Sequence, residues 1–285
     1  MAVPLLDLKR QYEPLAAELE AAAVEVMRSG GYIGGPNVEQ FEQELAAFCG
    51  AKRAVAISSG SDALLASLMA IDLQPGDEVI TTPFTFFATA GAIVRLSARP
   101  VFVDIDETFN IDMDQVAGKI NEKTKAIMPV DLYGQVPDYE RLQKLACDND
   151  LPIIEDAAQA IGATRHGRRA GTFGLTGCFS FYPTKNLSAL GDAGAIVTNA
   201  DDVADKLAVM RNHGMEPRYY HQFVGGNFRL DAIQCAALRI KLRHIDAWNA
   251  ARKFAAQRYA TLFQGAGLTD RITLPTDTTN GGHVW

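Results

Sequence analysis

The sequence predicts an α/β fold with one large, mostly parallel β-sheet between layers of helices. Short apolar runs alternate with longer amphipathic stretches along most of the 285 residues, the order expected when helices connect parallel strands. Turn-forming sequences separate the two kinds of segment, most clearly at 74–77 and 191–194. The seven expected strands are 54–58, 78–82, 100–104, 126–130, 153–156, 178–181 and 195–198.

Helices are expected where apolar residues recur at helical spacing. The clearest case is 37–48, where Asn37 and Gln40 suit a capping box at the N-terminus and Gly50 suits the stop at the C-terminus. Further helices are expected at 62–71, 87–96, 138–148 and 201–211, followed by one long helix over 232–263.

The chain is expected to divide near residue 231. Residues 1–231, with the N-terminal segment, should form the large domain that carries the sheet. The long helix then leaves that domain, and an apolar run begins at Val284 and stops at Trp285. We therefore expect 232–285 to contain this helix and only the start of a smaller C-terminal α/β domain.

Composition excludes several classes of protein. A net charge of −7 without a basic cluster argues against a nucleic-acid-binding surface. The four cysteines are far apart and form no CxxC pair, which predicts reduced thiols and no metal site. No segment approaches the roughly 20 apolar residues of a membrane helix. The N-terminus lacks the apolar core of a signal peptide, so we expect a cytoplasmic protein that does not bind membranes.

A Ser-Gly-Ser sequence follows the first expected strand. Backbone N–H groups at a helix N-terminus, with small hydroxyl residues beside them, form a phosphate site, and Ser59, Gly60 and Ser61 have this character. Taken alone, the motif somewhat favours a simpler interpretation, in which Ser61 is only the N-cap of the helix.

An acidic residue, Asp156, ends the fifth expected strand. The carboxyl ends of parallel strands face the ligand crevice of such sheets. A carboxylate there can keep a pyridinium nitrogen protonated, which makes the ring an electron sink. Considered alone, Asp156 is explained about as well as a helix cap beside core alanines.

A single lysine, Lys185, follows the sixth expected strand, after aromatic residues and Pro183. A lysine walled by apolar groups loses its proton more easily and can form a Schiff base. Most isolated lysines are simply solvated, and Lys185 alone favours that interpretation.

The three features together indicate one site. A phosphate loop, then an aspartate at a strand end, then a lysine after a later strand is the order found in enzymes of fold type I that use pyridoxal 5′-phosphate (PLP). The lysine holds the cofactor aldehyde and moves a proton, the aspartate tunes the ring and the loop grips the phosphate.

A longer series of short motifs runs in order along nearly the whole chain. It comprises GYIGGP at 31–36, SGSDAL at 59–64, PGDEVI at 75–80, FTF at 84–86, PVFVD at 100–104, YGQ at 133–135, EDAAQ at 155–159, KNL at 185–187, RNHG at 211–214 and GNFR at 226–229. This series resembles the DegT/DnrJ/EryC1/StrS family of PLP-dependent nucleotide-sugar aminotransferases, which have the PLP-transferase fold of type I.

The resemblance implies roles for individual residues. Phe86 would stack on the PLP ring, Gln159 would lie near its hydroxyl, and Asn227 would reach the phosphate in a neighbouring subunit, which implies a homodimer with shared active sites. Simpler interpretations are a core position for Phe86 and a turn position for Asn227. Catalysis is assigned to Lys185 and Asp156, and cofactor binding to Gly60, Ser61, Phe86, Asp156, Gln159, Ser180, Lys185 and Asn227. Substrate contacts are expected from Tyr32, Arg229 and His283.

The reaction implied by the resemblance moves an amino group from L-glutamate to a nucleotide-linked keto-sugar, for polysaccharide or secondary-metabolite biosynthesis. Sugar dehydratases of the same family carry His in place of the Schiff-base lysine, so Lys185 argues against them. A catalytically silent regulatory protein on the same fold would have no reason to keep Lys185 and Asp156. An NAD-binding enzyme is disfavoured because no GxGxxG lies between a strand and a helix.

Overall fold

The computed structural model describes residues 6–285, in which strands and helices alternate. The strands are β1 (Arg53–Ile57), β2 (Glu78–Thr81), β3 (Arg99–Phe102), β4 (Thr124–Ile127), β5 (Ile154–Asp156), β6 (Thr164–Arg165), β7 (Arg168–Arg169), β8 (Thr176–Ser180) and β9 (Gly194–Thr198). The α-helices are α1 (Leu8–Tyr12), α2 (Ala16–Ser29), α3 (Pro36–Cys49), α4 (Gly60–Ala70), α5 (Phe87–Arg95), α6 (Met113–Val116), α7 (Tyr139–Asp148), α8 (Asp201–Met210), α9 (Ala232–Leu242) and α10 (Ile245–Gly265). Short 3-10 turns cover Glu13–Leu15, Ala117–Lys119 and Leu132–Gly134.

The strands of the main layer form two ladders. One has the order β3-β2-β4 and is parallel, and the other has the order β1-β9-β8-β5. Strand β9 runs antiparallel to both of its neighbours, so the layer is mixed. A separate hairpin, β6–β7, was not predicted from the sequence.

The two ladders meet between β4 and β5, where single-residue parallel bridges replace a continuous ladder. The bridges pair Ile127 with Ile153 and Val130 with Asp156. Pro129 and Pro152 lie in this seam, and proline has no N–H to donate to a ladder. The sequence predicted one continuous sheet; among residues 6–285 the proline-containing seam separates it into two ladders.

Helix ends differ from the predictions, most clearly at the start of α3 and within the long C-terminal helix. The N-cap of α3 is Gly35, with Pro36 as the first helical residue, because proline is preorganised for that position and needs no N–H. The capping box of Asn37 and Gln40 is therefore wrong, whereas the stop at Gly50 is confirmed by its left-handed φ of 72°. The long helix is also interrupted, since α9 ends at Leu242 and α10 begins at Ile245.

Helices cover both faces of the strand layer. Helices α4, α5 and α8 contribute to one apolar core, and α3, α7 and α9 contribute to the other. Helix α9 packs against α2 and α3 and is buried along most of its length, whereas only Ile245 and Asn249 of α10 are buried. The boundary between large and small domains near residue 231 stays a prediction.

Candidate active site

A cavity of about 580 Å³ opens at the carboxyl ends of β5 and β8. Its walls come from the start of α4, the start of α5, the residues after β5 and the loop after β8. It is lined by seven of the residues predicted from the sequence, namely Gly60, Ser61, Phe86, Asp156, Gln159, Ser180 and Lys185. The structure therefore brings together side chains that are far apart in the chain.

A second groove, of about 660 Å³, lies between α2, α3 and α9. Its charged lining residues are Glu18, Glu25, Glu44, Arg239 and Arg243, and none of the predicted site residues reaches it. Both arginines already form ion pairs with glutamates of the same groove. The cavity of about 580 Å³ is thus the candidate site, because it holds the predicted reactive groups.

The phosphate side of the cavity is built by the start of α4. The N-cap is Ser59, whose Oγ accepts the N–H of Asp62 at 3.1 Å, so the interpretation of Ser61 as the N-cap is wrong. The hydroxyl of Ser61 instead lines the cavity. A Cβ on Gly60 would lie 2.6 Å from the Cβ of Ser180, so only glycine allows the helix start to approach β8 this closely.

Asp156 is buried and lies at the back of the cavity. Its Oδ2 accepts the hydroxyl of Thr89 at 2.8 Å, and its Oδ1 accepts the N–H of Ala158 at 3.3 Å. Burial raises the pKa of the Asp156 carboxyl, while these hydrogen bonds and the charge of Lys185 act in the opposite direction. A positively charged ring nitrogen would supply the partner that this carboxylate needs.

Lys185 enters the cavity from a tight loop after β8. Its backbone N–H donates to the carbonyl of Tyr182 at 2.8 Å, which closes the turn. Burial lowers the pKa of the Lys185 amine, and Asp156 partly opposes that shift. A lowered pKa increases the share of neutral amine, the form that attacks a carbonyl carbon.

Two further predicted residues border the cavity. Phe86 is 74% exposed, so its interpretation as a core residue is wrong and its ring is free to cover a ligand. Gln159 accepts the backbone N–H of Tyr133 through Oε1 at 2.7 Å. This bond joins the cavity to the 3-10 turn after β4 and orients the Gln159 amide.

Four predicted residues do not line this cavity. Asn227 is exposed and pairs through its backbone with Asn212, whose side chain accepts Nη1 of Arg229 at 2.8 Å. Tyr32 is 53% exposed, and its hydroxyl donates to the carbonyl of Met27. Their roles, as contacts to a cofactor or substrate, stay predictions.

The fourth, His283, is 5% exposed and packs against Trp285 at 3.9 Å between ring centroids. Its Nε2–H donates to the carbonyl of Tyr133 at 2.9 Å. Burial lowers the pKa of the imidazole, which favours the neutral form. His283 thus reaches the cavity only indirectly, through Tyr133 and Gln159.

Two polar residues near the cavity were not predicted from the sequence. Thr89 supports Asp156 from α5, and Asp131, fully buried, lies beside the strand end that carries Asp156. The recurrence of Thr85 and Thr89 one helical turn apart is a signal for the first, since their hydroxyls lie 2.8 Å apart. Asp131 had a comparable signal, because it follows the apolar run of β4 as Asp156 follows that of the next strand.

Within residues 6–285, no helix is both long and apolar enough to cross a membrane. Over the same range, no group of three or more His, Cys, Asp or Glu side chains is arranged to hold a metal ion.

Residues 14–285 match the DegT/DnrJ/EryC1/StrS aminotransferase family. A relative from Geobacillus stearothermophilus named pleiotropic regulatory protein is 48% identical, over 100% of this chain and 77% of its own length. The dTDP-3-amino-3,4,6-trideoxy-alpha-D-glucose transaminase of Streptomyces venezuelae is 43% identical, over 99% of this chain and 74% of its own length.

Structural comparison agrees with these matches. The crystal structure of NtdA from Bacillus subtilis with bound cofactor PMP resembles this chain with a TM-score of 0.91 at 34% identity, and the similarity covers 99% of this chain and 65% of that one. The match to the family model and the identity with its members confirm the resemblance predicted from the motifs: the chain belongs to the DegT/DnrJ/EryC1/StrS aminotransferase family.

Proposed function

We propose that this member of the family transfers an amino group from L-glutamate to a nucleotide-linked keto-sugar, with PLP as its cofactor. The observation that carries the proposal is the meeting of Lys185 and Asp156 in one cavity, beside the start of α4. A lysine of lowered pKa and a buried carboxylate facing it are the two protein groups that this chemistry requires.

The cavity residues fit PLP group by group. The first-turn N–H groups of α4, with the hydroxyls of Ser61 and Ser180, suit a phosphate. Asp156 suits a protonated ring nitrogen, and Lys185 suits the aldehyde. When bound, PLP supplies an aldehyde that takes up and returns the amino group, and a ring that withdraws electrons.

The protein's own groups hold and move protons around that ligand. Asp156 keeps the ring nitrogen protonated, and its bond from Thr89 orients the carboxylate. The neutral amine of Lys185 accepts a proton from the substrate carbon and returns it. Phe86 shields this region from water on the open side of the cavity.

The relatives support the choice of substrate and define the second candidate. The Streptomyces relative is named as a transaminase of a dTDP-linked amino sugar, which supports a nucleotide-linked keto-sugar as the acceptor. The Geobacillus relative carries a regulatory name, which favours a regulatory protein as the second candidate. The presence of both Lys185 and Asp156 in one cavity favours the enzyme.

An absorbance titration tests the proposal. Purified protein is mixed with PLP, and L-glutamate is then added. We expect a band of protein-bound PLP that disappears with glutamate and returns when a keto-sugar nucleotide is supplied. A bound-PLP band that no amino donor changes would support the silent regulatory protein instead.

We also propose that the active form is a homodimer with composite sites. The support is the position of Asn227, which is exposed and lies outside the cavity of its own chain. In a two-fold dimer the same surface serves both sites. Asn227 of one subunit would then reach the phosphate held by the other.

A further inference from the structure

Three carboxyl groups are buried together at the end of β5. Glu155 and Asp156 are the last residues of that strand, and Asp131 follows the bridge between Val130 and Asp156. Asp131 and Glu155 are fully buried, and Asp156 is 4% exposed. None of the ion pairs formed within residues 6–285 includes any of the three.

Three buried carboxylates without a paired cation cannot all be ionised, because each buried charge needs donors or a counter-charge. Glu155 is the best supplied: its Oε1 accepts the N–H of Gly171, and its Oε2 accepts the N–H of Phe173 at 3.0 Å. A Cβ on Gly171 would lie 2.5 Å from the ring of Phe179, so glycine is required for this turn. These two backbone donors favour the charged form of Glu155.

Asp131 has the fewest donors of the three. Its Oδ1 accepts the hydroxyl of Tyr139 at 3.0 Å, but its Oδ2 is buried without an N–H or O–H donor from the described residues 6–285. The stacked rings of Tyr139 and Phe173, 4.6 Å apart, close the cluster on this side. After burial, the Glu155 carboxyl is the neighbouring group that acts most strongly on the pKa of Asp131.

We infer that Asp131 is a neutral carboxylic acid in the folded protein, whose Oδ2–H donates to the carboxylate of Glu155. This assignment gives the otherwise unpartnered Oδ2 a role and leaves one negative charge where two would repel each other. The titratable groups that face Asp131 are Glu155, Tyr139 and Asp156, and none of them brings a positive charge.

The directions of the pKa shifts of Asp131 and Glu155 agree with this geometry. Burial, followed by the negative charge of Glu155, raises the pKa of Asp131 well above its usual range. Burial also raises the pKa of Glu155, but the bond from Asp131 and those from the backbone act to lower it. The proton therefore belongs on Asp131.

Asp131 acts as a positioning residue for Asp156. Its backbone N–H donates to the carbonyl of Asp156 at 3.0 Å, so the strand end lies directly beside the acid pair. Because Asp131 is neutral, it adds no charge beside the carboxylate that faces the cavity. This last step rests on the proposed function, whereas the protonation of Asp131 does not.

The first test uses the full chain before PLP is added, so it is independent of the proposed function. Infrared spectra of wild type and Asp131→Asn are compared at about pH 7. We expect the wild type to show the C=O band of a buried carboxylic acid, shifted in D₂O, that the variant lacks. The matched control, Asp270→Asn, removes an exposed carboxylate and should change carboxylate bands only. No loss of an acid band in Asp131→Asn would overturn the inference.

Urea unfolding across pH gives a second measurement. The amide introduced by Asp131→Asn keeps a neutral donor toward Glu155, so this variant should fold. Since the pKa of Asp131 is raised in the folded state, folding takes up a proton above the unfolded pKa of about 3.9. The folding constant of wild type, relative to the variant, should then fall by up to about tenfold per pH unit until the folded pKa is reached. A ratio that does not change with pH would contradict a protonated Asp131.

A third measurement addresses the positioning role. The absorbance of bound PLP is titrated with pH in wild type, Asp131→Asn and Asp131→Ala. We expect Asp131→Asn to retain the wild-type titration and Asp131→Ala to shift it, because only alanine leaves Glu155 without its donor. Equal titrations in all three proteins would remove the positioning role but not the protonation. A protein that binds no PLP would count against the proposed function instead.

Discussion

At the scale of single residues, the proposed roles of Lys185 and Asp156 depend on the burial of both groups. Burial lowers the pKa of the lysine and raises that of the aspartate. Each shift costs folding free energy, since it disfavours charged groups that water would stabilise. A ligand with an aldehyde and a protonated ring nitrogen offsets both costs at once.

Lys185→Ala should abolish the covalent attachment of PLP. The amine supplies the bond to the aldehyde carbon, and no other amine lines the cavity within the described residues 6–285. The measurement is mass spectrometry after borohydride reduction. Lys241→Met is the matched control, because Lys241 is also buried with a lowered pKa but lies outside the cavity. A reduced PLP adduct that persists in Lys185→Ala, or that is lost in Lys241→Met, would contradict the assignment of Lys185 as the attachment site.

Asp156→Asn should retain PLP but lose about two to three powers of ten in the rate of transamination, because an amide cannot stabilise a protonated ring nitrogen. Thr89→Val should have a smaller effect, about tenfold, since it removes one hydrogen bond of about 1–2 kcal/mol to the carboxylate. Stopped-flow absorbance with glutamate measures both rates. Equal losses in the two variants would show that Asp156 acts through structure alone.

At the residue scale, the predictions from the sequence rest on local patterns. Asp156 ends an apolar run, and Lys185 follows an aromatic strand broken by Pro183. Both side chains line the predicted site. Thr89 contacts Asp156 only because the fold places α5 beside β5, and its spacing from Thr85 does not indicate Asp156 as the partner.

At the scale of elements, helices were predictable from apolar spacing, whereas their ends and the pairing of strands were less so. The start of α3 at Pro36 follows from proline geometry, but the capping pattern at Asn37 competed with it. The break between α9 and α10 falls at Arg243 and His244, where neither glycine nor proline marks it.

The lysine loop depends on α10 through one buried polar residue. Asn249 accepts Nδ2 of Asn186 at 2.9 Å through Oδ1, and its own Nδ2 donates to the carbonyl of Ile161. Asn249→Ala would leave both partners unsatisfied, so we expect a loss of about 1–3 kcal/mol in stability. Weaker PLP binding should accompany it, since Asn186 is next to Lys185.

Urea unfolding and PLP titration measure these two effects. Gln257→Ala is the control on the exposed face of the same helix and should stay within about 0.5 kcal/mol of wild type. If Asn249→Ala leaves the PLP affinity unchanged, α10 does not influence cofactor binding through Asn249.

At the scale of the whole molecule, the sequence predicted an α/β protein of this family, and the comparisons confirm that level of description. The sheet was harder to predict, because the prolines at the seam between β4 and β5 act on pairing between segments distant in sequence. The assembly is harder still to predict from the sequence, because residues that contact a partner subunit need no contact within their own chain.

Asn227 tests the proposed assembly. Its side chain is exposed and does not line the cavity that contains Lys185 of the same chain. If Asn227 completes the phosphate site of a second subunit, Asn227→Asp should weaken PLP binding, because the new carboxylate repels the phosphate. Each parent homodimer, Asn227→Asp and Lys185→Ala, should then have little activity.

Mixing the two variants separates the arrangements. In a heterodimer with composite sites, one site carries both substitutions and the other carries neither, so about half of the activity of a wild-type dimer should return for each heterodimer formed. Differently tagged subunits allow the heterodimer to be purified and its activity measured per dimer. If Asn227 instead acts in the site of its own chain, every site in the mixture would carry one of the two substitutions. A purified heterodimer no more active than its parents would therefore place Asn227 in the site of its own subunit and refute the shared-site arrangement.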